Sequence, residues 1–110
     1  MLTSLRNNCL LVTWAKLDSG ETGEWVELSS WPLKTVQISG DTVTTVVLQG
    51  SNEPAGANPQ TLYDVDNTTL INKAGLFVLK GNPRFIRPVC GTGLQVQVTM
   101  LCSNKLLNAR

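Results

Sequence analysis

Histidine is absent from this chain of 110 residues, and only 5% of its residues are aromatic. Histidine is the side chain that most often moves protons near neutral pH, so the usual general base of serine and cysteine hydrolases is missing. No serine lies in a recognisable nucleophile motif. Cys90 is the best candidate for a reactive thiol, because Arg84 and Arg87 precede it closely and cations lower a thiol pKa. Burial at a strand end is the simpler interpretation, and we expect no enzymatic activity.

Charge and long apolar runs are also scarce. Charged residues make up 15% of the chain, and no apolar run approaches the roughly 20 residues that span a membrane. The first residues lack the basic end, apolar stretch and cleavage site of a signal peptide. We therefore expect no membrane association and folding in a cytosol. The length predicts one β-sandwich domain over residues 1–110, with loose ends near 1–7 and 103–110.

The cysteines are three in number and widely spaced: Cys9, Cys90 and Cys102. An odd count at such spacing is neither a disulfide framework nor a zinc pattern. We expect reduced, mostly buried thiols, with a Cys90–Cys102 pair across neighbouring strands as the alternative. No phosphate-binding glycine loop is present either. The sequence therefore predicts no metal and no cofactor.

One short segment carries oxygen ligands at alternating positions. Asp64, Asp66 and Asn67 have the side chains that calcium prefers, but the segment lacks the further acids and the glycine of an EF-hand loop. A solvated strand end is the simpler interpretation.

Charge is distributed unevenly along the chain. Up to residue 66 there are three basic and eight acidic residues, a balance of −5, and beyond it six basic residues and no acid, a balance of +6. Either the two halves interleave and neutralise each other across strands, or the surface has an acidic and a basic side suited to docking on a lattice. The basic residues are spread out and lack a stacking platform, so we expect no nucleic-acid binding.

Alternation of apolar and polar residues predicts strands. The clearest is residues 94–101, where Leu94, Val96, Val98 and Met100 share one side and the polar residues share the other. A first strand at Cys9–Leu17 has apolar residues on both sides, which predicts a strand covered on both faces or placed at a subunit contact.

Further strands are predicted at residues 24–28, 33–39, 42–49, 61–65, 75–79 and 84–89. Gly40 and Asp41 predict a hairpin between two of them. Residues 50–59, with two prolines and two glycines, predict an exposed loop. About eight short strands without a helical pattern predict an all-β fold, an antiparallel β-sandwich or jelly roll.

The tryptophans cluster in sequence. Trp14, Trp25 and Trp31 fall within eighteen residues, and a tryptophan can stack on a sugar or fill a core or a subunit contact. Together with Arg84 and Arg87, these three are our candidate protein-interface residues.

From residue 31 onward the order of segments is distinctive: WPLKTVQISG, TTVVLQGSNEP, TLYDV, GLFVL, NPRFIRPV and LQVQVTM. This order resembles small β-sandwich virion proteins of tailed bacteriophages, over about residues 25–102. The step from strand to loop at 49–52, the segment 83–88 with its two arginines, and the alternating last strand carry the resemblance.

The resemblance implies a structural part of a phage particle, assembled in the bacterial cytoplasm and without catalytic residues. Its most specific implication is a capsid decoration (cement) protein, homo-oligomeric, that binds the major capsid protein on the head shell. A neck, head–tail connector or tail component bound to other virion proteins is the first alternative. A carbohydrate-binding module that takes glycans is the second.

Overall fold

A computed structural model describes residues 1–6, 8–40, 44–63 and 75–103. Within these ranges, two antiparallel sheets pack face to face as a β-sandwich, as the sequence predicts. The strands are β1 (Leu2–Arg6), β2 (Cys9–Leu17), β3 (Val26–Glu27), β4 (Leu33–Ser39), β5 (Thr45–Ser51), β6 (Gln60–Thr61), β7 (Gly75–Val78), β8 (Phe85–Thr92) and β9 (Val96–Ser103). One sheet has the order β1-β2-β9-β4-β7 and the other β3-β8-β5-β6. In the described ranges, no helix is long and apolar enough to span a membrane.

The core lies between the sheets and is built from alternate residues of each strand. On β9, at the centre of the five-stranded sheet, Val96, Val98 and Met100 have no exposed surface, which confirms their predicted inward face. The prediction for Leu94 is wrong, because this side chain is 66% exposed. Gln95 adopts a left-handed φ of 50°, so the chain turns there and the strand begins only at Val96.

Strand β2 has the predicted bounds, but only one of its two faces is buried within the chain. Val12 and Trp14 are buried on its inner side, whereas Leu11 on the other side is 38% exposed. A bulge between Trp14 and Leu17, with Lys16 at a φ of 58°, then returns Leu17 to the core. Within the described chain the outer face of β2 is therefore uncovered, which rules out cover by the chain itself and leaves the predicted alternative of a subunit contact.

Strands β4 and β5 do not form the predicted hairpin. Strand β4 pairs with β9 on one side and β7 on the other, so both of its hydrogen-bonding edges are occupied. Strand β5 pairs with β6 and β8 in the opposite sheet. Strands β4 and β5 therefore belong to different sheets, and residues 41–43, which include the predicted turn residue Asp41, lie outside the described residues.

The two halves of the chain interleave within both sheets. Strand β9 lies between β2 and β4, and β8 lies between β3 and β5, so basic and acidic segments become neighbours. Arg84 Nε, for example, donates to Glu27 Oε2 at 3.1 Å. The described structure therefore favours neutralisation across strands over an acidic and a basic pole.

Three further predictions concern the ends, the thiols and calcium. Residues expected as a loose end form strand β1, which pairs with β2 from Leu2 to Arg6. All three cysteines are free, with Cys90 and Cys102 buried, so the alternative pairing is wrong. The calcium candidates Asp64, Asp66 and Asn67, and residues 104–110, lie outside the described residues.

Candidate functional site

The outer face of the four-stranded sheet carries three of the five predicted interface residues. The loop after β2 runs along β8, where Gly23 N donates to Pro88 O at 2.9 Å, and β3 then pairs Val26 with Ile86. This path places Trp25 beside Arg87 on the outer side of β8. The position of Trp25 therefore depends on backbone hydrogen bonds between an irregular loop and β8. Alternation of apolar and polar residues does not predict such pairing.

The aromatic–arginine cluster consists of Trp25, Phe85, Arg84 and Arg87. The guanidinium carbon of Arg87 lies 4.3 Å from a Trp25 ring centroid, and that of Arg84 lies 4.9 Å from the Phe85 centroid. Trp25 and Phe85 meet edge to face, 6.4 Å apart. Such contacts stabilise both the rings and the cations.

Both guanidinium groups of this cluster have polar partners within the chain. Arg84 Nε donates to Glu27 Oε2 at 3.1 Å, and Arg87 Nε donates to Gln49 Oε1 at 2.9 Å. Because both guanidinium groups already have polar partners and the rings are half-buried, these contacts stabilise the four-stranded sheet itself.

The loop that follows β5 covers part of this cluster. Gly56 is buried with a φ of 74°, and a Cβ at this position would overlap the indole ring of Trp25. Ser51 Oγ donates to Ala57 O at 2.5 Å and accepts from Glu53 N at 3.1 Å, which folds the loop back. The predicted exposed loop is thus packed against Trp25 through Gly56.

The other two tryptophans lie elsewhere. Trp14 is 2% exposed in the core, and its Nε1 donates to Glu24 O at 2.9 Å. This burial corrects the expectation that Trp14 offers an interface, because its ring has no free face. Trp31 is half-buried and packs against the core just before β4. The structure therefore unites Trp25, Arg84 and Arg87, and separates Trp14 and Trp31 from them.

Cys90 does not form a thiol site with the arginines. Its side chain has no exposed surface and faces the core, whereas Arg87, three residues earlier on β8, faces the opposite side with Trp25. In the described part of the chain, no group of three or more cysteine or acidic residues is arranged to hold a metal ion.

The outer side of the five-stranded sheet has a different character, and we call it the open face. Strand register aligns two rows across all five strands. The rows are Ser4, Leu11, Leu101, Thr35, Val78 and Leu2, Thr13, Thr99, Gln37, Leu76; Leu33 lies on the same side, one row further. None of these eleven residues is charged.

Six large apolar side chains on the open face are strongly exposed. Leu2 and Leu76 are exposed by 74% and 70%, and Leu11, Leu33, Val78 and Leu101 by 36% to 49%. A contiguous exposed apolar surface is typical of a contact with another macromolecule. The sequence pattern does not reveal this surface, because its large apolar side chains come from five strands that only the sheet order brings together.

An apolar groove of about 360 Å³ lies at one end of the open face. Its lining includes Cys9, Leu33, Val78, Leu101 and the buried Lys34. Lys34 Nζ donates to Asn82 Oδ1 at 2.5 Å, and burial lowers the Lys34 pKa. The neighbouring thiol of Cys102 has its pKa raised by burial to about 11, so it stays protonated near neutral pH.

Comparison with known proteins identifies the fold. No family model and no curated protein matches this chain. Among solved structures, the chain is similar to the SPBc2 prophage-derived protein YomS, with a TM-score of 0.60 and 12% sequence identity. The match covers 90% of this chain and 97% of that one. At this identity the similarity shows a shared fold.

Proposed function

We propose that this chain is a structural protein of a bacteriophage particle and binds another virion protein through the open face. The open face carries the proposal, because eleven neighbouring residues without charge expose six large apolar side chains. The cores of protein–protein interfaces are similarly depleted in charge. A fold shared with a prophage-derived protein and the sequence resemblance to virion proteins support the phage origin.

Within the particle, we propose a capsid decoration protein that binds the major capsid protein. A sandwich with one uncharged face that exposes large apolar side chains suits repeated attachment to a regular shell, where many modest contacts add up. The same face suits a neck or tail protein, and copy number separates these locations. Assembly would take place in the bacterial cytoplasm, and we propose no catalytic step.

The glycan-binding alternative receives less support from the geometry. One face of the Trp25 ring is covered by Arg87, and Gly56 lies against the indole, while Trp14 is in the core. A sugar platform needs an accessible ring face. Binding on a glycan array that is lost in Trp25→Ala and Trp31→Ala would favour that alternative over ours.

Quantitative mass spectrometry and cryo-microscopy of purified particles of the phage that encodes this chain would test the proposal. Hundreds of copies per particle would support a head location, and about six or twelve a neck or tail location. Absence of the chain from particles would overturn the proposed function.

A pair of variants tests the surface itself. Leu101→Lys places a charge in the centre of the open face, whereas Thr61→Lys adds the same charge at an exposed position of the four-stranded sheet. We expect Leu101→Lys to fold but to be lost from particles, and Thr61→Lys to be incorporated like the wild type. Equal incorporation of both would show that the open face is not the contact.

A further inference from the structure

Strand β1 forms an open edge of the five-stranded sheet. It lies at the end of the strand order and pairs only with β2 in the described residues. The other sheet edges are shorter, since β3 and β6 have two residues each and β7 has four. Natural proteins protect edges with proline, charged side chains or bulges, and Leu2 to Leu5 have none of these, since the only charged residue of the strand is Arg6 at its end.

The backbone of β1 has hydrogen-bonding groups directed away from β2. The Arg6–Cys9 pair closes a two-residue connection, and such a closing pair exchanges both hydrogen bonds of the ladder. Because bonded and non-bonded pairs alternate, Thr3 and Leu5 then direct their N–H and C=O groups to the open edge. This edge is complementary to another strand.

Strand β1 exposes one leucine on each of its two sides. Leu2, on the open face, is 74% exposed, and Leu5, on the opposite side, is 67% exposed. A strand added at this edge would shield both side chains and bond the free backbone groups.

We propose that a second copy of this chain binds here, with the two β1 strands antiparallel across a twofold axis perpendicular to the sheet. The two five-stranded sheets then become one sheet of ten strands, and the two open faces become continuous. This dimer rests on the edge alone and does not require the partner of the open face to be a virion protein.

Charge favours a second copy as the occupant. Leu2 to Leu5 carry no charge, so two copies of the strand meet without repulsion. At the start of β1, the Met1 amino group lies 3.3 Å from Glu24 Oε1, so the positive charge beside the strand is already paired within each copy.

Light scattering coupled to size exclusion would test the dimer with a matched pair of variants. Thr3→Pro removes an N–H directed to the edge and leaves the pairing with β2 intact, whereas Thr3→Ala keeps this donor. We expect twice the chain mass for wild type and Thr3→Ala, and the single chain mass for Thr3→Pro with an unchanged circular dichroism spectrum. A monomeric wild type, or a dimeric Thr3→Pro, would overturn the proposal.

Disulfide trapping in a Cys9→Ser background tests the geometry. The twofold axis places either Thr3 or Ser4 opposite its own copy, with Cα atoms about 4.5–5.5 Å apart, within disulfide range. We expect Thr3→Cys or Ser4→Cys to form a covalent dimer on mild oxidation, and Thr13→Cys, in the middle of the open face, to remain monomeric. Trapping through Thr13→Cys alone would indicate a face-to-face dimer and refute edge pairing.

Discussion

The two outer faces of the sandwich use their large side chains in opposite ways. On the four-stranded sheet, Trp25 and Phe85 are packed with two arginines, and a folded-back loop covers part of the indole. On the five-stranded sheet, leucines and valines of the open face remain exposed, and the two full rows across the five strands contain no charged residue. The large side chains of the first face pack against other residues of the same chain. In the described structure, nothing packs on the large side chains of the second face.

This difference shows that exposed leucine is a better sign of a protein interface in this chain than tryptophan or arginine. Tryptophan and arginine are enriched at protein interfaces, but Arg84 and Arg87 are already paired with Glu27 and Gln49. Breaking these pairs to bind a partner would expose polar groups that must find new ones. Exposed leucines have no such partners to lose, so the proposed binding through the open face would carry a lower desolvation cost.

The largest expected effect is the difference in unfolding free energy between an aspartate on the inner side of β9 and one on its outer side. Val98→Asp places an unpaired charge in the core and should cost at least about 4 kcal/mol, enough to unfold a marginal domain. Leu101→Asp, on the open face of the same strand, should change the unfolding free energy by less than about 1 kcal/mol. Urea denaturation followed by circular dichroism would measure both, and similar midpoints would contradict the assigned faces.

Truncating one apolar side chain on each outer face tests the comparison directly. Trp25→Ala removes a half-buried ring that contacts Arg87, Phe85 and Gly56, and should cost about 2–3 kcal/mol. Leu101→Ala on the open face should cost about 0.5 kcal/mol or less. If the two losses measured by urea denaturation are equal, the four-stranded face is not the better packed one.

Gly56→Ala tests how closely the loop packs on Trp25. The new Cβ would overlap the indole at a left-handed φ, and we expect a loss of about 2 kcal/mol. Gly20→Ala is the control, because its φ is also left-handed, at +84°, but nothing lies within 4 Å, so only backbone strain of about 1 kcal/mol is expected. Removing the ring with Trp25→Ala should bring the Gly56→Ala penalty down to that of the control.

The buried lysine below the groove gives a smaller effect that depends on pH. Because burial lowers the Lys34 pKa from 10.5, the unfolded chain binds more protons than the folded chain between the lowered pKa and 10.5. The contribution of Lys34 to the unfolding free energy therefore rises with pH across that interval. The unfolding free energy of wild type minus that of Lys34→Met should increase with pH there.

A constant difference, or one that decreases with pH, would contradict the burial of a charged Lys34. The comparison with Lys34→Met is needed because Cys102 has the opposite effect. Its raised pKa of about 11 means that the folded chain holds a thiol proton that the unfolded chain releases, so its contribution to stability falls over the alkaline range up to about pH 11.

Several strands could be predicted from local alternation alone. The bounds of β2 at Cys9–Leu17 and the inward side of Val96, Val98 and Met100 follow from a period of two, which is a property of each strand by itself. Strand β1 was missed because its polar and apolar residues do not alternate cleanly. The cluster around Trp25 was only partly predictable, because backbone pairing of an irregular loop places that ring.

By itself, the sequence determined that this protein is a β-sandwich with free thiols, because alternation, turn residues and cysteine spacing are local properties of the chain. The tertiary structure alone decided that β4 and β5 belong to different sheets, that Trp14 is buried while Trp25 binds Arg87, and that scattered leucines form one open face. The reason is physical: a strand's pattern shows that it has two sides, but which side is covered depends on the strands and loops that pack against it from distant parts of the chain.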